Sequence, residues 1–310
     1  MHRDRTDAAA PLTAAALWGG MYVVSKWGFG AIPPLTLGFL RVVLGAVVLL
    51  AVVRRRSPRR SFDAGERRRF VVLGFWVTAT IATQFVGTEL TTASQGSLLT
   101  VLTPVFTLLL GWLVLDERLT GRRVGGIALA AAGTLVVIAG QYDLTAMSTA
   151  SVSGVLALLA ASFAWAAFTV WGAPLVRRYS ALETATYATV AAVPMLGVLV
   201  PVEFWSRGLS PADVPVTPGV VGAVLYLGVL STATAWFLWY KGVEYLDAGA
   251  VAAFFFVQPL VGALLGTVLL DESLGTLFVV GGIIMGAGIY VVSTTGRTTR
   301  ERRDGAETPE

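Results

Sequence analysis

The chain contains no cysteine, and its only histidine, His2, lies in a polar N-terminal stretch. Without thiols the protein can form no disulfide, no thiolate metal site and no redox-active cysteine pair. A single histidine outside the apolar segments also excludes clusters of histidine ligands, and a histidine general base, within those segments. We therefore expect no metal and no cofactor.

Charged residues are scarce for a chain of 310 residues. They make up 14% of it, against about 25% in soluble domains. Hydrophobic residues make up 55%, and the mean hydropathy is +0.72. The net charge of +4 does not indicate nucleic-acid binding, because the arginines cluster between apolar runs. The composition predicts an integral membrane protein surrounded by the lipid bilayer.

Motifs of several enzyme classes are absent as well. The chain has no G-x-x-x-x-G-K-[ST] phosphate-binding loop, which excludes ATP-driven transport by this chain alone. It also has no helical His-Glu-x-x-His motif and no nucleophile elbow. An intramembrane enzyme would need acidic, histidine or serine side chains clustered at mid-helix, and the sequence shows no such cluster. We expect no catalytic residues and no enzymatic activity.

Long apolar runs dominate the rest of the sequence, and a membrane-spanning helix needs about 20 such residues. Ten spans fit with short connections, so the predicted fold class is an all-α integral membrane protein with ten transmembrane helices. Residues 1–10 and 295–310 are predicted to be polar cytoplasmic tails, the second one disordered. The predicted spans are 11–30, 35–53, 70–90, 95–115, 121–139, 152–174, 181–202, 219–245, 248–270 and 275–294.

One stretch of the sequence occurs twice in similar form. Residues 104–119, PVFTLLLGWLVLDERL, return as residues 259–274, PLVGALLGTVLLDESL, at a constant offset of 155. The same offset also pairs Gly87 with Gly242, Glu89 with Glu244, Gly126 with Gly281 and Gly133 with Gly288. The pattern predicts two copies of one five-helix unit, residues 11–140 and 151–294.

The arginines predict opposite orientations for the two units. Eight arginines lie between residues 54 and 69, whereas the loops predicted to be outside hold only Arg207. This bias places both termini in the cytoplasm. DERLTGRR after the fourth span then lies inside, and DESLGTLF after the ninth lies outside without any arginine. Inverted repeats of this kind are typical of secondary transporters, which bind substrate between the repeats near the bilayer midplane.

These features resemble the EamA type of the drug/metabolite transporter superfamily. The resemblance covers residues 11–294 and is carried by the duplicated proline-containing span with its acidic end, by Leu17-Trp18-Gly19 and Ser25-Lys26, and by Pro34 with Arg41. It implies a multi-pass protein of the cytoplasmic membrane that exports a small organic metabolite. The prediction is an alternating-access secondary transporter for an amino acid or similar amphipathic solute. The alternative is a non-transporting membrane protein, either an assembly factor or an intramembrane enzyme.

The candidate substrate-binding residues begin on the first span, where Trp18, Tyr22 and Ser25 share one helical face and Lys26 follows. An offset of 147 superposes Trp165 on Trp18 and brings Thr169 to a similar depth. The alternative interpretation is a belt tryptophan, a packing tyrosine and a snorkelling lysine. Further candidates are Gln84, Tyr240 and Gln258. Other uncharged polar groups at depth are Thr80, Thr88, Thr100, Ser231, Thr232 and Thr234.

Charges inside the spans have structural as well as functional interpretations. Arg41 could hold an anionic group of the substrate, although snorkelling or pairing with a carboxylate is the commoner role. Glu89 and Glu244 lie at helix ends, where a solvated or ion-paired carboxylate is ordinary. The Asp116-Glu117 and Asp271-Glu272 pairs are predicted to stabilise the N-terminus of the next helix.

Prolines and glycines supply the remaining hypotheses. Pro104 and Pro259 are candidate hinges that gate the two faces of the cavity, and the alternative is a static kink. The glycines of the fifth and tenth spans permit close helix approach, with Gly282 and Gly286 forming a GxxxG pair. These spans would pack on each other or on a second protomer, so a homodimer is one predicted partner besides the small-molecule substrate.

Overall fold

The computed structural model describes residues 3–57, 60–115, 120–141, 149–243 and 257–294. Within these residues the regular structure is entirely helical. The helices are α1 Arg3–Gly28, α2 Pro34–Arg56, α3 Ala64–Leu90, α4 Ala93–Leu99, α5 Thr103–Leu115, α6 Gly121–Gln141, α7 Thr149–Arg178, α8 Ala181–Arg207, α9 Pro218–Leu225, α10 Ala235–Val243, α11 Val257–Leu270 and α12 Thr276–Thr294.

Two predicted spans are interrupted rather than continuous. A 3₁₀ turn, Thr100–Leu102, joins α4 to α5, and a π-helical segment, Tyr226–Thr234, joins α9 to α10. Sequence periodicity did not reveal either interruption, because the apolar pattern continues through both of them. Residues 244–256, which include the predicted end of the eighth span and start of the ninth, lie outside the described residues.

Several helices extend beyond the predicted membrane segments. The predicted tail 1–10 is helical from Arg3 onward, because alanines 8–10 favour helix although hydropathy is low there. Helix α3 begins six residues earlier than predicted, inside the arginine-rich block. A capping box starts it: Asp63 Oδ1 accepts the Glu66 N–H at 2.8 Å, and Glu66 Oε2 accepts the Asp63 N–H at 3.0 Å.

Among the described residues, seven helical stretches are long and apolar enough to cross a membrane. Two further apolar helices, Val257–Leu270 and Thr276–Val291, are shorter. Helix α1 is not among the seven. The outer surface is apolar: Leu135, Val198 and Ile283 are each more than 60% exposed. Such a surface suits lipid, so the fold is that of a multi-pass membrane protein.

Helices α6 and α12 pack backbone to backbone at one side of the molecule. A Cβ added to Gly133 would lie 2.7 Å from the Gly281 oxygen, and one added to Gly288 would lie 2.6 Å from the Gly126 oxygen. The contact therefore excludes every larger side chain. The prediction that the fifth and tenth spans pack on each other is confirmed. Among the glycines predicted to permit close approach, Gly281 and Gly288 make it, whereas Gly282 of the GxxxG pair faces Leu98 instead.

One end of the molecule is held by carboxylates of the second half. Glu203 accepts the N–H groups of Leu35 at 2.9 Å and Thr36 at 2.8 Å, which caps the start of α2. Arg207 pairs with Glu89 at 2.7 Å, which confirms the prediction of an ion-paired helix-end carboxylate for Glu89. We call this end the Glu272 end, defined by Glu89, Glu203, Arg207 and Glu272.

Glu272 stabilises a different helix from the one predicted. Its carboxylate accepts the N–H groups of Ala93 at 2.6 Å and Ser94 at 2.9 Å, at the start of α4 in the other half. Asp271, directly after α11, adopts a left-handed φ of 54°, a conformation that does not continue the helix. Glu272 therefore stabilises a helix N-terminus, as predicted, but that of α4 and not that of the next helix in the chain. Asp116, Glu117 and Glu244 lie outside the described residues.

Candidate solute-binding cavity

A cavity of about 80 Å³ lies between helices of the two halves. It is several times larger than the roughly 10–15 Å³ that one water molecule needs, so it can hold several waters or part of a small solute. Its wall combines aromatic, hydroxyl and amide side chains with one charged residue. The lining residues are Trp18, Met21, Tyr22, Arg41, Val42, Val77, Thr80, Ile81, Gln84, Thr100, Thr103, Ala161, Ser162, Trp165, Thr189, Thr232, Trp236 and Gln258.

A hydrogen-bond network centred on Tyr22 forms one part of the wall. Gln84 Nε2 donates to the Tyr22 hydroxyl. Thr100 Oγ1 donates to the Gly96 oxygen at 2.7 Å, so Tyr22 donates to Thr100. Gln258 Nε2 lies 3.3 Å from both the Tyr22 and Thr100 hydroxyls. The network therefore joins α1, α3 and the 3₁₀ turn of the first half to α11 of the second.

Tryptophans form a second part of the wall and are held at fixed angles. Trp165 meets Trp236 nearly perpendicularly, with ring centres 5.0 Å apart and an interplanar angle of 88°. Trp18 packs against Trp239 at 5.1 Å and donates its indole N–H to the Ser231 oxygen at 3.0 Å. Rigid aromatic faces of this kind suit the apolar part of an amphipathic solute.

The π-helical segment Tyr226–Thr234 supplies backbone and hydroxyl acceptors to the cavity. A π-helix leaves the regular α pattern of bonds and is frequent at functional sites. The Ser231 oxygen accepts from Trp18, and Thr232 Oγ1 donates to the Leu227 oxygen at 2.8 Å. The same Thr232 hydroxyl accepts the Arg41 Nε–H at 2.8 Å. The irregular segment thus positions side chains of both α1 and α2.

Arg41 is the only charged residue among the described residues that line the cavity. The roles that the sequence favoured, snorkelling or pairing with a carboxylate, are both wrong for the described structure. The side chain is 4% exposed, which excludes snorkelling to a headgroup. Within the described part of the chain it makes no ion pair.

Five of the predicted binding residues come together on this wall: Trp18, Tyr22, Gln84, Trp165 and Gln258. They come from α1, α3, α7 and α11, so the fold collects residues that the sequence separates widely. The side chain of Tyr240 lies outside the described residues. Whether these residues bind substrate stays a prediction.

Lys26 and Ser25 lie away from the cavity. The Lys26 ammonium donates to the oxygens of Glu89 at 2.7 Å, Thr88 at 3.2 Å and Thr91, which are the last carbonyls of α3. The lysine therefore satisfies a helix C-terminus, where cations are favoured. Ser25 is buried, and its hydroxyl makes no hydrogen bond within the described residues.

Thr169 faces outward from α7, and its hydroxyl donates to the Trp165 oxygen at 2.9 Å. Four residues along an α-helix turn the side chain by about 40° beyond a full turn. Because Trp165 is only half-buried at the edge of the wall, that rotation takes Thr169 onto the exposed surface. Trp165 and Thr169 have the same spacing as Trp18 and Tyr22, but only Tyr22 and not Thr169 lines the cavity.

Other lining residues had no distinguishing signal in the sequence. Thr103, Ser162, Thr189 and Trp236 line the cavity although their sequence neighbourhoods resemble those of outward-facing residues. Small hydroxyl residues occur throughout the spans, and their contacts depend on helix rotation.

The two candidate hinge prolines have different surroundings. Pro104 is the second residue of α5 and follows the 3₁₀ turn that carries Thr100 into the cavity wall. Pro259 is the third residue of α11 as described, next to Gln258. The residues before Val257 are outside the described structure. The hinge role remains a prediction for both prolines.

Known proteins resemble this chain along nearly its whole length. A model of the EamA-like transporter family matches residues 8–139 and again residues 152–294. An "Uncharacterized transporter" of Archaeoglobus fulgidus is 28% identical over 89% of this chain and 93% of its own. A "Probable amino-acid metabolite efflux pump" of Escherichia coli K12 is 26% identical over 93% of this chain and 95% of its own.

A third relative and a solved structure agree with these matches. A "Probable terminal-alkyne amino-acid exporter" of Streptantibioticus cattleyicolor is 33% identical over 70% of this chain and 68% of its own. A crystal structure with 19% sequence identity superposes with a TM-score of 0.64 over 97% of this chain and 99% of that one, which shows a shared fold. With both halves matched by one family model, the chain belongs to the EamA-like transporter family.

Proposed function

We propose that this protein is a secondary transporter that exports a small amphipathic organic solute, such as an amino acid or related metabolite, across the cytoplasmic membrane by alternating access. The observation that carries the proposal is the central cavity, whose polar and aromatic wall is shared by both halves of a membrane protein. Two relatives, named as a probable amino-acid metabolite efflux pump and a probable terminal-alkyne amino-acid exporter, support the substrate class.

The crossing of α6 and α12 supports an inverted relation between the repeats. The repeat offset pairs Gly126 with Gly281 and Gly133 with Gly288, whereas the observed contacts join Gly126 to Gly288 and Gly133 to Gly281. A two-fold rotation that exchanges the repeats therefore converts one contact into the other. The two helices run antiparallel, so such an axis lies across them, in the plane of the membrane, as alternating access by inverted repeats requires.

The arginine distribution supports cytoplasmic termini, and the Glu272 end then faces outward. The second-half carboxylates that cap α2 and α4 join the two halves at this end. A transport cycle would open these contacts and close the opposite end. A homodimer would have to use a surface other than the α6–α12 glycine contact, and it stays a prediction.

Counterflow into liposomes that contain the purified protein tests the proposal across a panel of amino acids and related metabolites. We expect saturable flux that falls at least about tenfold in Trp18→Ala and Trp165→Ala, because each removes an aromatic contact surface. Trp205→Ala is the matched control, since Trp205 is 85% exposed and should leave flux unchanged. Flux equal to that of protein-free liposomes over the whole panel would contradict transport and favour the non-transporting alternative.

A further inference from the structure

Arg41 carries a positive charge in the cavity that the described residues leave uncompensated. The side chain is 4% exposed, and its Nη1 has no hydrogen-bond partner among the residues that the structure describes. Its two other described contacts are neutral: Nε donates to Thr232 at 2.8 Å, and the guanidinium carbon lies 5.6 Å from the centre of the Phe85 ring. A buried charge without a counter-charge is costly, so we expect a negatively charged group to pair with Arg41 at some stage of the proposed transport cycle.

The glutamates that the structure describes are all engaged elsewhere. Glu66 binds Arg178 and Tyr179, Glu89 binds Arg207, Glu183 binds Arg60, Glu203 caps α2, and Glu272 caps α4. All five lie at helix ends, away from the cavity lining. In this part of the chain, therefore, no glutamate is available to neutralise Arg41.

We propose that Arg41 binds the carboxylate of the transported solute. The inference rests on the proposed transport function and narrows its substrate class to carboxylates. A guanidinium is a planar fork of donors that matches a carboxylate, and such charge-assisted bonds are strong. Thr232 holds Nε and leaves the terminal nitrogens for the ligand, while the tryptophans contact the apolar part. A solute without a carboxylate leaves the buried charge unpaired and binds weakly.

Matched compounds test this assignment on the full-length protein in detergent, with binding followed by tryptophan fluorescence and by thermal unfolding. The first trio is L-leucine, leucinamide and 4-methylpentanoate, and the second is L-phenylalanine, phenylalaninamide and 3-phenylpropanoate. In each trio the amide lacks the carboxylate, and the last compound lacks the amine. We expect the carboxylates to bind at least about tenfold more tightly than the amides.

Variants of Arg41 should remove this preference. Arg41→Gln should bring the carboxylates down to the affinity of the amides, and Arg41→Lys should keep part of the preference because it keeps the charge. Arg178→Gln is the matched control, since Arg178 is an exposed arginine paired with Glu66 at 2.9 Å outside the cavity lining. Any of three results would overturn the proposal. They are an unchanged carboxylate preference in Arg41→Gln, equal affinity of the wild type for amides and carboxylates, and no binding of either class.

The thermal stability of Arg41→Gln distinguishes a ligand-binding role of Arg41 from a purely structural one. Without ligand, Arg41→Gln should melt no lower than the wild type, because it removes an unpaired buried charge. A lower melting temperature together with an unchanged carboxylate preference would overturn the proposal in favour of a structural arginine. Flux measured in liposomes distinguishes the proposal that the protein is a transporter from the proposal that Arg41 binds the carboxylate. If the wild type and Arg41→Gln both transport the amides as fast as the carboxylates, with saturable flux, the protein is a transporter but Arg41 does not bind the carboxylate. Absence of saturable flux for every compound would count against both.

Discussion

At the scale of single residues, the cavity is built from side chains that satisfy one another. The Tyr22 hydroxyl links Gln84 to Thr100, with the Gln258 amide 3.3 Å away. Such a buried network orients its members only when every bond is made, since an unpaired buried group costs about 1–3 kcal/mol. The hydroxyl of Tyr22 is therefore the group that connects Gln84, Thr100 and Gln258 in the wall.

Tyr22→Phe should weaken solute binding about tenfold, because Gln84 and Thr100 lose their shared partner and the wall loses its orientation. The measurement is the concentration dependence of counterflow in liposomes. Tyr226→Phe is the matched control: Tyr226 also contacts α1, through the Leu17 oxygen at 3.0 Å, but it lies outside the cavity lining. Equal effects of the two substitutions would show that the network has no special role.

At the scale of elements, the candidate cavity and the close glycine contact fall on different helices. The 3₁₀ turn and the π-helical segment break regular helices where they meet the cavity, and each presents a threonine to it. Helices α6 and α12 contribute no described lining residue and instead pack through glycine. Changes in these two sets of helices should therefore affect activity and stability separately.

Gly133→Ala should lower the melting temperature of the purified protein, because the new methyl group would meet the Gly281 oxygen and the Met285 backbone nitrogen. Neither backbone atom can move without shifting α12, so we expect a loss of about 1–3 kcal/mol. Gly125→Ala on the same helix is the control. It meets nothing within 4 Å, and alanine favours helix by about 1 kcal/mol. Equal melting temperatures for both variants would contradict the close α6–α12 contact.

Pro104→Ala tests the hinge hypothesis. If the break before α5 is used for gating, restoring the missing N–H should stiffen it and lower maximal flux several-fold while half-saturation stays nearly constant. Pro201→Ala, in an exposed position of α8, should change neither quantity. Spin labels placed above and below Pro259 give a second measurement, and one fixed distance with and without substrate would argue against a hinge there.

At the scale of the whole molecule, the Glu272 end joins the two halves through carboxylates at distant helix N-termini. Glu272 reaches α4 and Glu203 reaches α2, and both contacts cross from the second half to the first. Each combines hydrogen bonds with a favourable helix dipole. In the proposed alternating-access cycle, these contacts would have to break for this end to open.

Glu272→Gln should shift the molecule toward opening at this end. The chain lacks cysteine, so Ser162→Cys in the cavity wall supplies a unique reporter. We expect a membrane-impermeant thiol reagent added to cells to label it several-fold faster in Glu272→Gln, because the neutral amide stabilises the α4 N-terminus less well. Glu66→Gln at the opposite end is the control and should not increase labelling. No change in either variant would show that Glu272 does not control access.

The sequence by itself determined the membrane class, most helix positions, the duplication and the aromatic face of α1. These are properties of contiguous segments, because hydropathy, helical period and repeat offset are read within one stretch of about 20 residues. Trp18, Tyr22, Gln84, Trp165 and Gln258, which the sequence proposed as binding residues, all line the cavity, and binding of a solute by them stays a prediction.

Only the tertiary structure decided which polar groups meet. Lys26 caps α3 instead of facing the cavity, Thr169 turns outward, and Glu272 reaches a helix of the other half. Arg41 lies unpaired because the described glutamates are engaged at helix ends. The outward position of Thr169 depends on how α7 is rotated, and the contacts of Lys26 and Glu272 depend on neighbours 63 and 179 residues away in the chain. Hydropathy and periodicity within one segment carry no information about either.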